Sequence, residues 1–343
     1  MYDCGLDVSM KSTHIYVEDG RGRRVYRGVV PTRSDALVEA LEPSRRDLRV
    51  AIEAGGQTVW IVDVLRALGA AVHVVHPVKV KWIAESKKKT DRVDAELLAR
   101  LLRIGGLPAP VHVPSRPARE LRGLLLARRQ LVQTRTKLIN VVRGLIRQQQ
   151  VTLPAKALMG TAGWARLERL PLSTAVQHIV QVYRATVEAT SVALKALDQE
   201  LRAKATADPR VERLQSMPGV GRVSAQTLVP TVDTIRRFKR AKELVASSGL
   251  VPSVRASGER VDYGPITKQG RSEIRAVWVQ AAHAVLAVKA VSARPFERWW
   301  AAIAKRRGKK TALVALARKL VTIAFHLLRE GTTYDARRLH CPA

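Results

Sequence analysis

Apolar and polar residues alternate along Tyr2 to Val8, His14 to Glu18 and Arg24 to Val30, the period of strands that bury one face. Asp19-Gly20 supplies turn chemistry between the last two runs, so a three-strand meander is expected. The pattern then changes period. Thr32 to Leu41 reads as a helix, Leu48 to Glu53 as a buried strand, Thr58 to Leu68 as a helix and Ala71 to His76 as another strand. A helical stripe follows through Val93, Leu97, Leu98, Leu101 and Leu102. After the Pro108 to Pro117 punctuation, Glu120 to Gln149 repeats leucine among many arginines, which predicts a long basic helix. Pro154 and Gly160 interrupt. Ser173 to Lys204 resumes heptad-like spacing through Val176, Ile179, Val180, Val187, Leu194, Leu197 and Leu201, which suits a coiled coil between copies or a helix hairpin within the chain.

The resulting order, βββαβαβα, is the succession of the ribonuclease H fold. There the first and fourth strands lie parallel at the sheet centre, and ligands gather at their carboxyl ends. Asp7 lies on the first strand and Glu53 ends the fourth. A lone carboxylate in the apolar run CGLDVS is costly to bury unless it is paired or bound to metal. In KKKTDRVDAELLAR, Asp91 and Asp94 stand three residues apart on one helical face. They answer the helix dipole behind a Thr90 cap, or they join Asp7 and Glu53 as oxygen ligands for a hard divalent cation. Lys87, Lys88 and Lys89 are then phosphate contacts next to the acids, or a solvated charge run.

Charge changes the picture more than composition does. A formal charge of +31 and a pI near 11.2 point to a polyanionic partner. No long apolar span or lipid anchor is evident and MYDCGLDV reads as a strand, so a soluble, cytoplasmic chain without membrane association is expected. Cys4 and Cys341, at opposite ends, support neither a disulfide framework nor a zinc cluster. Aromatics at 4% argue against base-stacking platforms as the main grip.

In the last third, SMPGVGRVSAQTLV places Gly219 and Gly221 between helical segments, similar to a helix-hairpin-helix that offers backbone N–H groups to phosphate, or simply a tight interhelical turn. Ser248 to Arg275 is glycine-rich, basic and without clear period, so it reads as a functional loop. On residues alone Ser257-Gly258 is a turn, with Arg255, Arg260, Lys268 and Arg271 able to meet phosphate. The tail adds a basic loop from Lys305 to Lys310, with Arg306, Arg307, Lys309 and Lys310 facing phosphate, and an amphipathic helix ending near Gly331.

GLDVSMKSTHIYV, AIEAGGQTVW and KTDRVDAELLA together resemble the three acidic motifs of the insertion-sequence 110 family of transposases, whose catalytic domain resembles the RuvC junction resolvase. GLVPSVRASG resembles the family's GLxPxxxxSG motif, and the match lands on Ser257. The resemblance implies a DEDD site of Asp7, Glu53, Asp91 and Asp94 binding Mg2+, with Mn2+ as substitute, and Ser257 as the nucleophile toward DNA phosphate. It further implies donor and target DNA duplexes, a structured guide non-coding RNA, and a homodimer or homotetramer. The expected fold class is α/β plus all-α. It comprises a RuvC-like mixed-sheet domain with the following long helix (1–150), a helical or coiled-coil segment (151–207) and a mostly helical transposase domain with the helix-hairpin-helix (208–343). A metal-dependent junction-resolvase-like nuclease, with Ser257 idle, and a non-catalytic nucleic-acid-binding protein are the competing readings.

If backbone phosphates supply most of the affinity, nucleic-acid binding falls steeply with salt. Replacing Lys87, Lys88 and Lys89 by alanine then weakens binding to unrelated sequences by a similar factor, read by fluorescence anisotropy across a salt series. A sequence-selective loss would remove these lysines from the phosphate contacts.

Overall fold

Strand β1 (Tyr2–Val8) is covered on both sides, burying Cys4 and Leu6 on one face and Asp3 and Gly5 on the other. It is the centre of a five-stranded sheet in a computed structural model, which describes residues 1–44, 46–81, 91–154, 156–257, 260–288 and 290–338. The sheet order is β3-β2-β1-β4-β5, with β2 (Ser12–Asp19), β3 (Arg24–Pro31), β4 (Leu48–Glu53) and β5 (Ala71–Val75). The first three strands form the antiparallel meander, whereas β4 runs parallel to β1 and β5 parallel to β4. The chain divides into two compact units, Met1–Val113 and Pro114–Ala343.

In the first unit, Leu6, Ile15, Val17, Val50 and Ile52 pack under α1 (Ser34–Leu41) and α2 (Thr58–Ala67). The opposite face carries α4 (Asp91–Arg103), which follows the short α3 (Pro77–Lys81). Gly5 permits this packing, because a Cβ there would overlap the Ala95 carbonyl oxygen and stand 2.8 Å from the Ala99 nitrogen. Ala95, Ala99 and Tyr16 close together beneath the helix. The same face holds buried ion pairs: the Arg49 guanidinium donates to Asp3 at 2.7 Å and that of Arg103 to Glu18 at 2.7 Å, while Arg27 meets Glu96. Such pairing is what lets acids sit at 0% and 1% exposure in a sheet.

The second unit starts with α5 (Arg116–Gln148), capped by Ser115, whose hydroxyl accepts from the Ala118 N–H, and with Pro117 in its first turn. The helix thus begins ahead of the Glu120 expected from leucine spacing. It pairs with α7 (Thr174–Thr206), with α6 (Thr161–Glu168) packed at their end. Val180 and Val187, two of the heptad-like positions, are buried against Ile139, Val142 and Ile146 of the same chain, the intramolecular arrangement. A further core joins α8 (Pro209–Gln215), α9 (Arg222–Val232), α10 (Ala241–Ser247), α11 (Ser272–Ala287), α12 (Arg294–Arg307) and α13 (Lys309–Glu330) around Leu228, Trp278, Phe296 and Leu320.

The structure corrects three expectations. Residues 248–275 contain a β-hairpin, β6 (Pro252–Ser257) and β7 (Arg260–Ile266), where the sequence suggested a loop. The basic stretch Lys305 to Lys310 is the end of α12 and the start of α13, joined at Gly308 with φ +82°. By length and composition α13 is also apolar enough to cross a membrane, although half of that stretch is buried, with Leu316, Leu320 and Phe325 in the helical core.

Two glycines clamp the hairpin at its base. Gly249 (φ +67°) and Gly270 (φ +105°) bring their backbones against Gln269 and Ser247, and the Thr267 N–H donates to the Val251 carbonyl at 2.8 Å. Arg275 donates to the Lys268 carbonyl at 2.9 Å, holding the turn in which Lys268 itself has φ +53°.

Two substitutions test these close approaches. Gly5→Ala forces α4 away from β1 and destabilises the first unit by about 3 kcal/mol, seen as a lowered thermal midpoint; parent-like melting would contradict the contact. Gly270→Ala costs about 2 kcal/mol of backbone strain, and hydrogen exchange of the Thr267 and Lys268 amides accelerates while that of the α11 core does not.

Candidate active site

The parallel register places Leu6 opposite Ile52, both on the apolar face, so Asp7 and Glu53 are the next residues along and alternate onto the α4 side at the strands' carboxyl ends. Both are partly exposed. Helix α4 runs against β1 with Ala95 on Gly5 and Arg103 at Glu18, so its amino-terminal turn comes to the end of β1 that carries Asp7. Asp94 immediately precedes Ala95, and Asp91 opens the helix one turn earlier; its side chain lies outside the described residues. Two elements and a sheet register thus bring Asp7, Glu53 and Asp94 to one end of the first unit.

Sequence reasoning passed over His14. It is the antiparallel partner of Asp7 across β1 and β2, and such partners stand on the same face with Cβ atoms about 5 Å apart. Only the register shows it, since seven residues separate the two in sequence. Asp3 and Glu18 were passed over too, and they are structural, each held by an arginine at the other end of β1. Among the described residues no group of three or more His, Cys, Asp or Glu is close enough to hold a metal ion.

In the second unit, Ser257 closes β6 and pairs with Arg260 at the start of β7; residues 258 and 259 lie outside the described residues. Arg255 is exposed on β6, level with Asp262, and Lys268 is exposed at the base. Arg271 precedes α11, 3.7 Å from Glu273, whose carboxyl is held low mainly by a backbone hydrogen bond. A groove of about 280 Å³ runs between α5, α9 and α11, with Arg122, Arg129 and Arg271 on its walls. Burial, and then the nearby Arg271 charge, pulls the Arg122 guanidinium down to about 10.

The two glycines of the α8–α9 turn differ in environment. Gly219 (φ +80°) is pressed against α11, where a Cβ would stand 2.6 Å from the Ala281 carbonyl oxygen, so packing alone accounts for it. Gly221 is exposed with open space around it and precedes α9 without a side-chain cap, which leaves first-turn N–H groups facing outward. Arg306, Arg307, Lys309 and Lys310 are all exposed around Gly308. Lys87, Lys88 and Lys89 lie outside the described residues.

Comparison with known proteins matches the same stretches. Residues 4–150 fit the profile of the DEDD transposase of IS110, and residues 211–297 that of the transposase IS116/IS110/IS902 family. The chain is 30% identical over 295 residues to the transposase for insertion sequence element IS1111A of Coxiella burnetii, covering 83% of this chain and 79% of that one. It is 23% identical over 341 residues to the transposase for insertion sequence element IS1328 of Yersinia enterocolitica, covering 96% and 98% respectively. With both conserved modules present in order and a relative aligned over most of its length, the chain belongs to the IS110/IS116 family of insertion-sequence transposases.

Proposed function

We propose that this transposase cuts and rejoins donor and target DNA with a carboxylate site of Asp7, Glu53, Asp91 and Asp94 and a serine nucleophile, Ser257. The observation that carries the reading is the register that sets Asp7 beside Glu53 at the ends of adjacent parallel strands, with the Asp94 turn of α4 at the same end. The strand order and the parallel β1–β4 pair agree with a ribonuclease H-like, RuvC-like domain. In this reading the catalytic module is residues 1–150, the span of the family match, and takes in the long α5; residues 151–207 are the helical connector and 208–343 the serine-bearing module.

Oxygen donors of this kind fit a hard divalent cation, Mg2+ or Mn2+, and these four carboxylates would hold it. Such an ion supplies Lewis acidity and charge neutralisation at a scissile phosphate. The chain's own groups do the rest. Ser257 Oγ forms a bond to phosphorus as a P–O bond of the DNA breaks, and the hydroxyl proton ends on the departing DNA oxygen. Arg255, two residues before Ser257, and Arg260, its cross-strand partner, offset charge on the phosphorane. The phosphoserine link keeps the bond energy that hydrolysis would discard, and the reverse transfer to a new DNA end rejoins the strand.

Gly221 at the exposed start of α9, in a helix-hairpin-helix, and the basic α12–α13 junction bind backbone phosphate without reading bases. Gly219 serves this element by packing. Sequence choice then comes from outside the protein, and a structured guide RNA is the partner that the family resemblance implies; the +31 charge supports a second nucleic acid without specifying it.

Two variants test the proposal. Asp7→Asn retains DNA binding and loses strand cleavage; recombination at the parent's rate would remove the acids from the chemistry. Ser257→Ala folds and binds DNA but forms no covalent protein–DNA adduct on denaturing gels, whereas metal-dependent cleavage that persists in it without an adduct identifies a resolvase-like hydrolase.

A further inference from the structure

Arg135 projects from α5 with its Nε shut off from solvent, and among the described residues nothing accepts a hydrogen bond from it. The residue as a whole is only partly buried, and among the described residues it enters no ion pair. Two acids line the same wall, but each is already engaged: Asp198 accepts from Arg128 at 2.7 Å and Glu188 from Arg184 at 2.8 Å. A guanidinium nitrogen shut off from solvent without an acceptor is unfavourable, by about 1–3 kcal/mol. An anion entering from outside the chain would supply the missing acceptor.

The surroundings define that anion. Arg135 lines a cavity of about 580 Å³ between α5, α7 and the start of α6, a volume within the range of nucleotide-sized pockets. Lys195 is exposed on the α7 side and makes no ion pair among the described residues. Helix α6 opens at Gly160 without a side-chain cap, so the first-turn N–H groups beside Thr161 add partial positive charge to the cavity. The wall is preformed: a Cβ on Gly163 would overlap the Ala157 carbonyl oxygen, and the Trp164 indole donates to the Leu158 carbonyl at 3.1 Å. At the mouth, Met159 and Val192 are 54% and 67% exposed. An inorganic anion has no use for that apolar rim, whereas the sugar and base attached to a phosphate do.

We propose that this cavity binds one phosphodiester of a single nucleic-acid strand, with Arg135 and Lys195 on the phosphate and the attached sugar and base against Met159 and Val192. The site involves neither the carboxylates nor Ser257, so it stands or falls separately from the reading of the active site. DNA and RNA share the phosphodiester, and the assay tells them apart.

The probes are fluorescein-labelled single-stranded DNA and RNA oligonucleotides, titrated by anisotropy against full-length parent, Arg135→Leu, Arg135→Lys and Lys195→Ala proteins, with melting recorded in the absence of nucleic acid. Arg135→Leu removes a donor that has no acceptor, so it melts no lower than the parent while binding DNA, RNA or both about tenfold more weakly. Arg135→Lys retains most of the affinity, and each charge removed lowers the salt slope by about one. Loss confined to one oligonucleotide names the source of the phosphate. Lys195 is exposed, so Lys195→Ala reads the site independently of how Arg135→Leu folds, and it too weakens binding. Unchanged affinity for both oligonucleotides in Lys195→Ala and Arg135→Leu overturns the proposal, as does an Arg135→Leu protein that melts lower and binds normally, which would make Arg135 a packing residue.

Discussion

The Ala95 carbonyl lies where a side chain on Gly5 would stand, and the rest of the first unit follows from that contact between a helix backbone and a strand backbone. A helix that close to a sheet must be lined by small residues, which Ala95 and Ala99 provide. Its far end is fixed independently, because Arg103 reaches the buried Glu18 on β2. With both ends held, the helix has one course across the sheet, and the residue before the contact is Asp94. Packing around a glycine therefore sends the Asp94 turn of α4 to the end of the sheet that carries Asp7 and Glu53.

The excess of basic residues has a structural share that composition alone does not reveal. Helix α9 ends in the carbonyls of Pro230, Thr231, Val232 and Asp233, the terminal acceptors that a helix leaves open. Arginines take them: Arg122 donates to Pro230 at 2.7 Å, Arg237 to Val232 at 3.1 Å and Arg210 to Asp233 at 2.6 Å. Positive charge at a helix carboxyl terminus is favourable in itself, and here it also ties α5 and α8 to α9. Asp233, at φ +57°, completes the joint by accepting from the Ser115 N–H and hydroxyl. Arg306 and Arg307, by contrast, stand exposed at the α12–α13 junction.

What was legible followed from periodicity. The alternation in Tyr2 to Val8 and the buried run Leu48 to Glu53 located both central strands to the residue, and with them Asp7 and Glu53, because a period of two fixes the face as well as the element. The hairpin was not legible: PSVRAS and RVDYGPI mix Pro, Gly and Arg without an apolar alternation, and the close backbone approaches at Gly249 and Gly270 that mark its base leave no periodic signal. His14 was hidden because adjacency across a ladder leaves no mark on one strand read alone. Arg135 was hidden for the opposite reason: in a helix rich in arginine nothing distinguishes the one whose neighbours are already paired.

Carboxylates at one end of a sheet, in a chain of net charge +31, make an electrostatic contrast with consequences for any polyanion. At distances beyond about 8–10 Å, salt screens individual pairs and the summed positive field draws nucleic acid toward the protein. Within that distance Asp7, Glu53 and Asp94 oppose a phosphate locally, so the strand has to be held by contacts made elsewhere. Groups on rigid supports suit that task, and the uncapped start of α9 and the basic residues flanking Gly308 are backbone-anchored and exposed. Under the proposed function, affinity and chemistry are thus carried by different residues. Loss of one acid then removes a local repulsion together with a catalytic group, so binding and cleavage are expected to respond to it in opposite directions.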